Sequence, residues 1–431
     1  MRSEVAAVVV VAALFLGAAL GYLLVLPRSG STTTIVSTST VTGTLETTIV
    51  STVTATTVET VSGPVAPITN IETGNTTLSG FPDQVAVNPV TRTVYLTDMF
   101  SNSLAVVNAS SGRLIDNITL PASTTGIVVD SATNTIFVSV GDCTNVINTS
   151  NSCQSQTTAT TQPAILTIDG NTNKIIRSVP IDASVKTVDS SRHVLYATQA
   201  LIQRPGVGST GSTGYLLALS EVSGTVIANV SLNAAPGAVA LDPVTDMLYV
   251  TACQVAGLAC GGGEVLVVNG TNYMVATSIP ISTYWGVSGI VLDSSTNHAY
   301  LAALSNATWL ISIDLRSNSV SSTMLVGSTC SGITLLGINP SRGELYAVAS
   351  STNSQANLFL VIGEGNGQII NMFSAPEQLV GFAPDLMDAS LYLTIESLSP
   401  HQTMGFLITL SDNFWAGYVD TSLLESGVCV P

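Results

Sequence analysis

Short apolar runs of four to seven residues alternate with turns rich in Gly, Asn, Asp and Pro along most of this chain, and no stretch beyond residue 64 carries a helical period. Such a pattern predicts strands rather than helices. Within it, an aromatic residue opens a strand of the form Tyr/Phe-aliphatic-Thr/Ala seven times, at Tyr95, Phe137, Tyr196, Tyr249, Tyr300, Tyr346 and Tyr392. The intervals are 42, 59, 53, 51, 46 and 46 residues. Self-similarity at this period predicts repeated units that cannot bury their faces alone and must stack or close into a ring.

Aligned on the aromatic, each unit reads as four strands. The first runs through Val85-Ala86-Val87, Thr93 to Thr97, Leu104 to Val107 and Arg113 to Leu120. The fourth repeats the grammar with Ala238 to Leu241, Met247 to Thr251, Val265 to Val268 and Met274 to Ile279. Between the first two strands of six units stands Asn88, Asp130, Asp189, Asp242, Asp293 or Asn339, and the seventh has Pro384-Asp385 instead. A short side-chain oxygen folds back onto nearby backbone N–H groups, and a following Pro presets φ, so these residues read as turn formers rather than as a ring of metal ligands.

Tyr249-Val250-Thr251 with Asp242-Pro243-Val244-Thr245, and Asn88-Pro89-Val90-Thr91 with Tyr95-Leu96-Thr97, resemble the YVTN-type β-propeller repeat family, which includes surface-layer-like proteins of archaea. The resemblance covers about residues 66–420, and units five and six depart from it (Tyr300-Leu301-Ala302, Tyr346-Ala347-Val348). It implies an all-β, seven-bladed propeller of four-stranded blades over residues 64–431. Closure has two candidates: Ala66 to Glu72 as the last outer strand, which is favoured, or Phe414 to Thr421.

Residues 5–26 contain no charge and follow Arg2. Twenty-two helical residues span about 33 Å, enough for a bilayer core of about 30 Å, so residues 1–28 are expected to form a signal anchor. The competing reading is a cleaved signal peptide with Ala19-Leu20-Gly21 as its small-residue site. Both readings export the chain. From 29 to 63, 20 of 35 residues are Ser or Thr, which predicts a spacer or stalk, with pairing to a neighbouring copy as the rival expectation.

Composition narrows the partners. The chain has 11 Lys and Arg against 27 Asp and Glu, a net charge of −16, and its two lysines are Lys174 and Lys186. No basic stripe exists to replace phosphate counterions, which excludes nucleic acid. The polar surface must be mostly uncharged, as suits an exported protein in acid. Six cysteines and export favour disulfides, with Cys143 and Cys153, Cys253 and Cys260, and Cys330 and Cys429 as candidate pairs among 15 connectivities. Seven sequons make Asn75, Asn108, Asn117, Asn148, Asn229, Asn269 and Asn306 candidate glycosylation sites, at about the frequency chance gives in so Ser/Thr-rich a chain.

Loops between second and third strands are enlarged in unit two (Val140–Pro163), unit three (Gln199–Gly214) and unit four (Ala252–Glu264), all on one face. Insertions confined to one face often bind. Tyr284 and Trp285, before the first strand of unit five, are the candidate ligand contacts at a channel mouth. Trp309 and Trp415 are expected to pack, and His193 and His298 to be solvated residues at strand starts. Gly206 to Gly211 matches GxGxxG without the strand-turn-helix context, and Asp169 to Asn173 mimics a calcium loop without its Gly and Glu. No catalytic residue, metal or cofactor is therefore expected. The functional expectation is a membrane-anchored extracellular propeller that binds a protein or polysaccharide without catalysis. The alternative is a secreted enzyme of the lactonase or quinone-dependent dehydrogenase kind.

Overall fold

A computed structural model describes residues 31–35, 57–61, 72–78, 82–98, 101–141, 162–201, 213–256, 259–281, 286–304, 308–327, 330–351, 357–375, 378–385, 390–399 and 402–410. The expected membrane segment, Tyr284, Trp285, Trp415, Cys143, Cys153, Cys429, Asn148, Asn306 and the GxGxxG loop lie outside them. The chain divides into two units, Met1–Ala66 with Val419–Glu425, and Pro67–Tyr418 with Ser426–Pro431. In the first, Ser31–Ile35 pairs antiparallel with Thr57–Val61, Thr34 opposite Val58. The Ser/Thr-rich stretch thus contains a strand pair where an unpaired spacer was expected, because β-branched Thr and Val suit cross-strand packing.

The second unit is an all-β propeller. Blade one comprises Pro82–Asn88, Thr93–Asp98, Ser103–Asn108 and Leu114–Thr119, hydrogen-bonded in that order. Five more blades of four consecutive antiparallel strands follow over residues 124–179, 184–231, 235–281, 286–327 and 330–375. Six blades are thus of one kind, where a seven-bladed ring was expected. The last repeat is a composite sheet of Gln378–Asp385, Ser390–Ser399 and Gln402–Leu410, whose outer edge is taken by Glu72–Leu78 from the front of the chain. The closing strand lies later than the expected Ala66 to Glu72. Pro67 has no N–H to give a ladder, whereas Asn75 to Thr77 pair with Ile408 to Phe406.

First strands neighbour one another in cyclic order, and that of the composite sheet returns to that of blade one. Burial follows position. The second strand of blade one is buried throughout, while the fourth strands of blades one and three show only Ile118 and Val230 buried. Apolar clusters lie between neighbouring blades rather than within them. Tyr95 packs among Ile136, Val138 and Leu166 of blade two, Phe137 among Leu195 and Leu217 of blade three, and Tyr196 among Leu248 and Leu266 of blade four. Tyr249 packs among Leu301 and Ile311 of blade five, and Tyr392 of the composite sheet reaches Val94 and Leu96 of blade one.

The Thr of the repeat has its own task. Every first strand carries a β-bulge opposite the residues just past the marker aromatic, which breaks the ladder locally. In blade four the Thr251 hydroxyl accepts from the Ala238 N–H at 2.9 Å and donates back to the Ala238 carbonyl at 3.3 Å. Thr97 does the same for Gln84 in blade one, at 3.0 and 3.5 Å. Blade five has Ala302 at this position and uses Gly289, with φ +62°, in its bulge instead.

The turn residues are turn formers as expected: Asn88, Asp130, Asp189, Asp242 and Asp293 each accept a backbone N–H two residues on. Trp309 packs against the cluster between blades four and five, as expected.

Replacing Thr251 by Val keeps the shape but leaves the bulged Ala238 N–H unpaired inside the blade. Chemical denaturation should show a loss of about 1–3 kcal/mol; an unchanged midpoint would remove the hydroxyl from the account of the repeat.

Candidate functional site

Three regions of the propeller carry chemistry beyond the repeat: the innermost strands, the seams between blades, and the face of the enlarged loops. On the innermost strands the bulges set apart two charged residues. Lys186, on Ser184–Asp189, is the extra residue between Val185 and Thr187, and Asp83 lies in the corresponding irregularity between Pro82 and Val85. Both are half-buried. Desolvation pushes the Lys186 ammonium down to about 8, and it pushes the Asp83 carboxyl up. Beside Lys186, blades two and three approach closely. The Ser184 hydroxyl donates to the Thr125 carbonyl at 2.6 Å, and a Cβ on Gly126 would stand 2.7 Å from the Val185 carbonyl oxygen.

The seams hold most of the buried charge. Where the first two strands join, one blade hydrogen-bonds the next: Asn88 to Asn134 at 2.8 Å, Ser190 to Asp130 at 2.6 Å, and Ser294 to Asp242 at 2.7 Å. Arg192 bonds Asp189 of its own turn at 2.7 Å, then crosses to Asp246 at 3.0 Å and the Gly270 carbonyl at 2.9 Å. Tyrosine hydroxyls make the same crossing. That of Tyr249 donates to Asn318 at 3.0 Å and that of Tyr300 to Glu364 at 3.2 Å.

Two seams contain a carboxyl pair that the sequence reading did not find. Glu221 and Glu364 directly follow the third strand, where other blades have Ala109, Gly170, Gly270 or Leu315. Each is buried and faces the turn aspartate of the preceding blade, Asp130 and Asp293 respectively. Burial first, then the opposing aspartate, raises Glu221 to about 7 and raises Glu364 as well. The aspartates go the other way: hydrogen bonds from turn groups overcome burial and hold Asp130 and Asp293 below their ordinary value. Each pair therefore shares a proton that resides on the glutamate. The signal was available, since aligning third-strand ends sets these two glutamates against small or apolar residues.

The histidines differ from the solvated residues expected. His193 is half exposed, yet its Nδ1 lies 3.0 Å from the Glu221 carboxylate. His298 stacks on Tyr300, with ring centroids 6.1 Å apart, and its Nδ1 bonds the Thr296 carbonyl oxygen. Asp169 spends its oxygens on Asn171 and Thr172 in its own turn.

On the opposite face the described residues of the insertions in blades three and four continue as paired strands. The second and third strands of blade four run on to Ala256 opposite Ala259, and those of blade three to Leu201 opposite Thr213. The composite sheet extends likewise to Ser399 opposite Gln402. In blade four the ladder thus continues where a loop was expected. Cys253 is disulfide-bonded and sits with Cys260 on the blade-four extension, while Cys330 opens the first strand of blade six. No protein-family model and no curated protein matches this chain. Of the sequons, Asn117 and Asn229 are exposed on outer strands, Asn75 lies on the closing strand, and the side-chain oxygens of Asn108 and Asn269 cap turns. No helix among the described residues is long and apolar enough to cross a membrane.

Two pH effects follow, of fixed sign. Glu364 is raised above its ordinary 4.5, so its contribution is complete below about pH 4.5 and is lost as pH rises through the folded value. Melting temperature should fall as pH rises from about 4.5 through that folded value, and less in Glu364→Gln, whose amide donates at every pH; parallel profiles would refute the shared proton. The depressed aspartates act oppositely and lose their contribution as pH falls below about 4. Lys186 is lowered from 10.5, so its charge penalises the fold below about pH 8. Lys186→Met should raise the melting temperature by a few degrees near neutrality, with the gain vanishing towards about pH 10. A loss at neutral pH would show that the ammonium has a binding partner in solution.

Proposed function

We propose that this chain is a surface-displayed propeller of the YVTN type that binds a polymer or protein without catalysis, through the face bearing the strand-pair extensions. In this reading the composite sheet is the seventh blade and Glu72–Leu78 closes the ring, holding both ends of the domain in one sheet. The hydrophobic segment at 5–26 anchors the chain to a membrane, and the Ser/Thr-rich stretch after it separates anchor from propeller.

The observation that carries the reading is the one-sided growth of the repeat. Blades three and four and the composite sheet all lengthen their second and third strands at the same end, the end from which the 140–163 insertion also leaves. Rigid, paired strands present a surface at lower entropic cost than free loops. The extension of blade four, Ala252 to Glu264, is small, uncharged and glycine-rich up to Glu264, and a Cys253–Cys260 disulfide would pin it. Such a surface suits a neutral, hydroxyl-bearing partner such as a polysaccharide better than a charged one.

Envelope polysaccharides of the source cell, immobilised and challenged with residues 64–431, should retain the propeller. Retention should fall at least tenfold when Gln254 to Gly261 are replaced by a two-residue turn. Undiminished retention by the shortened variant would place binding elsewhere, and full-length chain found only in the medium would refute the anchor.

A further inference from the structure

We propose that Asp130, His193 and Glu221 form a three-ligand site for a divalent transition metal, with Zn2+ the best match, at the seam between blades two and three. One ligand atom from each residue lies within 4.8 Å of the others. Tetrahedral bonds of about 2.0–2.2 Å to imidazole nitrogen and carboxylate oxygen place ligand atoms about 3.3–3.6 Å apart, so side-chain closure by up to about 1.5 Å completes the site. One imidazole with two carboxylates favours Zn2+ and its neighbours over Ca2+ or Mg2+, which take oxygen alone.

The second observation is an orphaned oxygen. The Glu221 side chain is 6% exposed and its Oε1 is buried with no hydrogen-bond partner. Without a cation the facing carboxyls are relieved only by the proton they share; a divalent cation in its place neutralises both and gives the buried oxygen a partner.

The related seam shows what is missing here. There the Glu364 Oε1 accepts from Thr296 at 2.7 Å and from the Tyr300 hydroxyl at 3.2 Å. At the Glu221 seam the marker aromatic is Phe137, which has no hydroxyl, and Thr133 donates to Asp130 instead. Conversely, the position of His193 is filled by Gly343 beside Glu364. One seam satisfies its glutamate with hydroxyls; the other loses the phenol and gains an imidazole.

The ligands are held before any ion arrives. Asp130 is fixed by Ala132, Thr133 and Ser190, and the Glu221 N–H bonds the His193 carbonyl at 2.9 Å. Arg177 grips the Glu221 carbonyl at 2.8 Å and that of Val222 from the fourth strand of blade two, so its charge is directed at main chain. The half-exposed His193 leaves one side of the site open to solvent for entry and for a water ligand.

Titration of the metal-free full chain with Zn2+ against a chromophoric chelator, near pH 7, tests the assignment. One equivalent should bind more tightly than any residual sites, and His193→Asn and Glu221→Gln should each weaken it at least tenfold. Asn is chosen because it tolerates the left-handed conformation of His193, φ +55°. Glu364→Gln should bind as the parent does, and Zn2+ should raise the melting temperature of the parent but not of His193→Asn. Equal zinc binding by His193→Asn and the parent, or no saturable binding by the parent, overturns the proposal; melting curves in excess chelator establish that each variant is folded.

Discussion

Burial of a blade's marker aromatic against the next blade, seen for Tyr95, Phe137, Tyr196, Tyr249 and Tyr392, is the interaction on which this structure depends. A four-stranded sheet has two faces and cannot cover either by itself. Tyr95, Phe137, Tyr196 and Tyr249 each leave their own second strand and enter the apolar cluster of the following blade. Blades two, three and four are thus each donor to one neighbour and acceptor to the other, and Tyr392 brings the composite sheet onto blade one. Stability in such an arrangement is shared between neighbours rather than owned by single blades.

Polar chemistry is arranged around that packing. Aromatic hydroxyls, turn aspartates and two arginines gather at the rim where blades meet, because there the chain reverses and its backbone groups need partners. Turn geometry uses Asp130, Asp189 and Asp293 as anions, and the hydrogen bonds they accept lower their pKa against burial. The two buried glutamates next to them are raised, first by burial and then because two adjacent carboxyls cannot both ionise at low cost. The seams therefore combine groups that prefer mild acid with groups that fail in strong acid, in keeping with the sparsely charged surface.

Much of this was legible in the chain. The seven aromatics marked the second strands, the Asn and Asp residues marked the turns, and both stand where the spacing placed them, since period, turn chemistry and β-propensity are local properties. The Thr of the repeat was visible as a letter, but its task of satisfying a bulged amide was not, because the bulge lies on a partner strand. His193 looked like a solvated residue and Asp130 like one turn former among six. Their neighbour Glu221 directly follows the third strand of blade three, 28 residues beyond His193 and across the seam from Asp130.

The sequence by itself determined the fold class, the four-strand unit and the sites of its turns, because alternation and turn preference act over a few residues. Tertiary structure alone decided which blades share a carboxyl pair, which extensions remain strand, and which segment closes the last sheet. The carboxyl pairs and the last sheet depend on residues far apart in the chain, as Ser190 meets Asp130 across a seam and Asn75 meets Ile408 within the composite sheet. No local pattern encodes such a meeting; the packing of one blade's aromatic against the next brings it about.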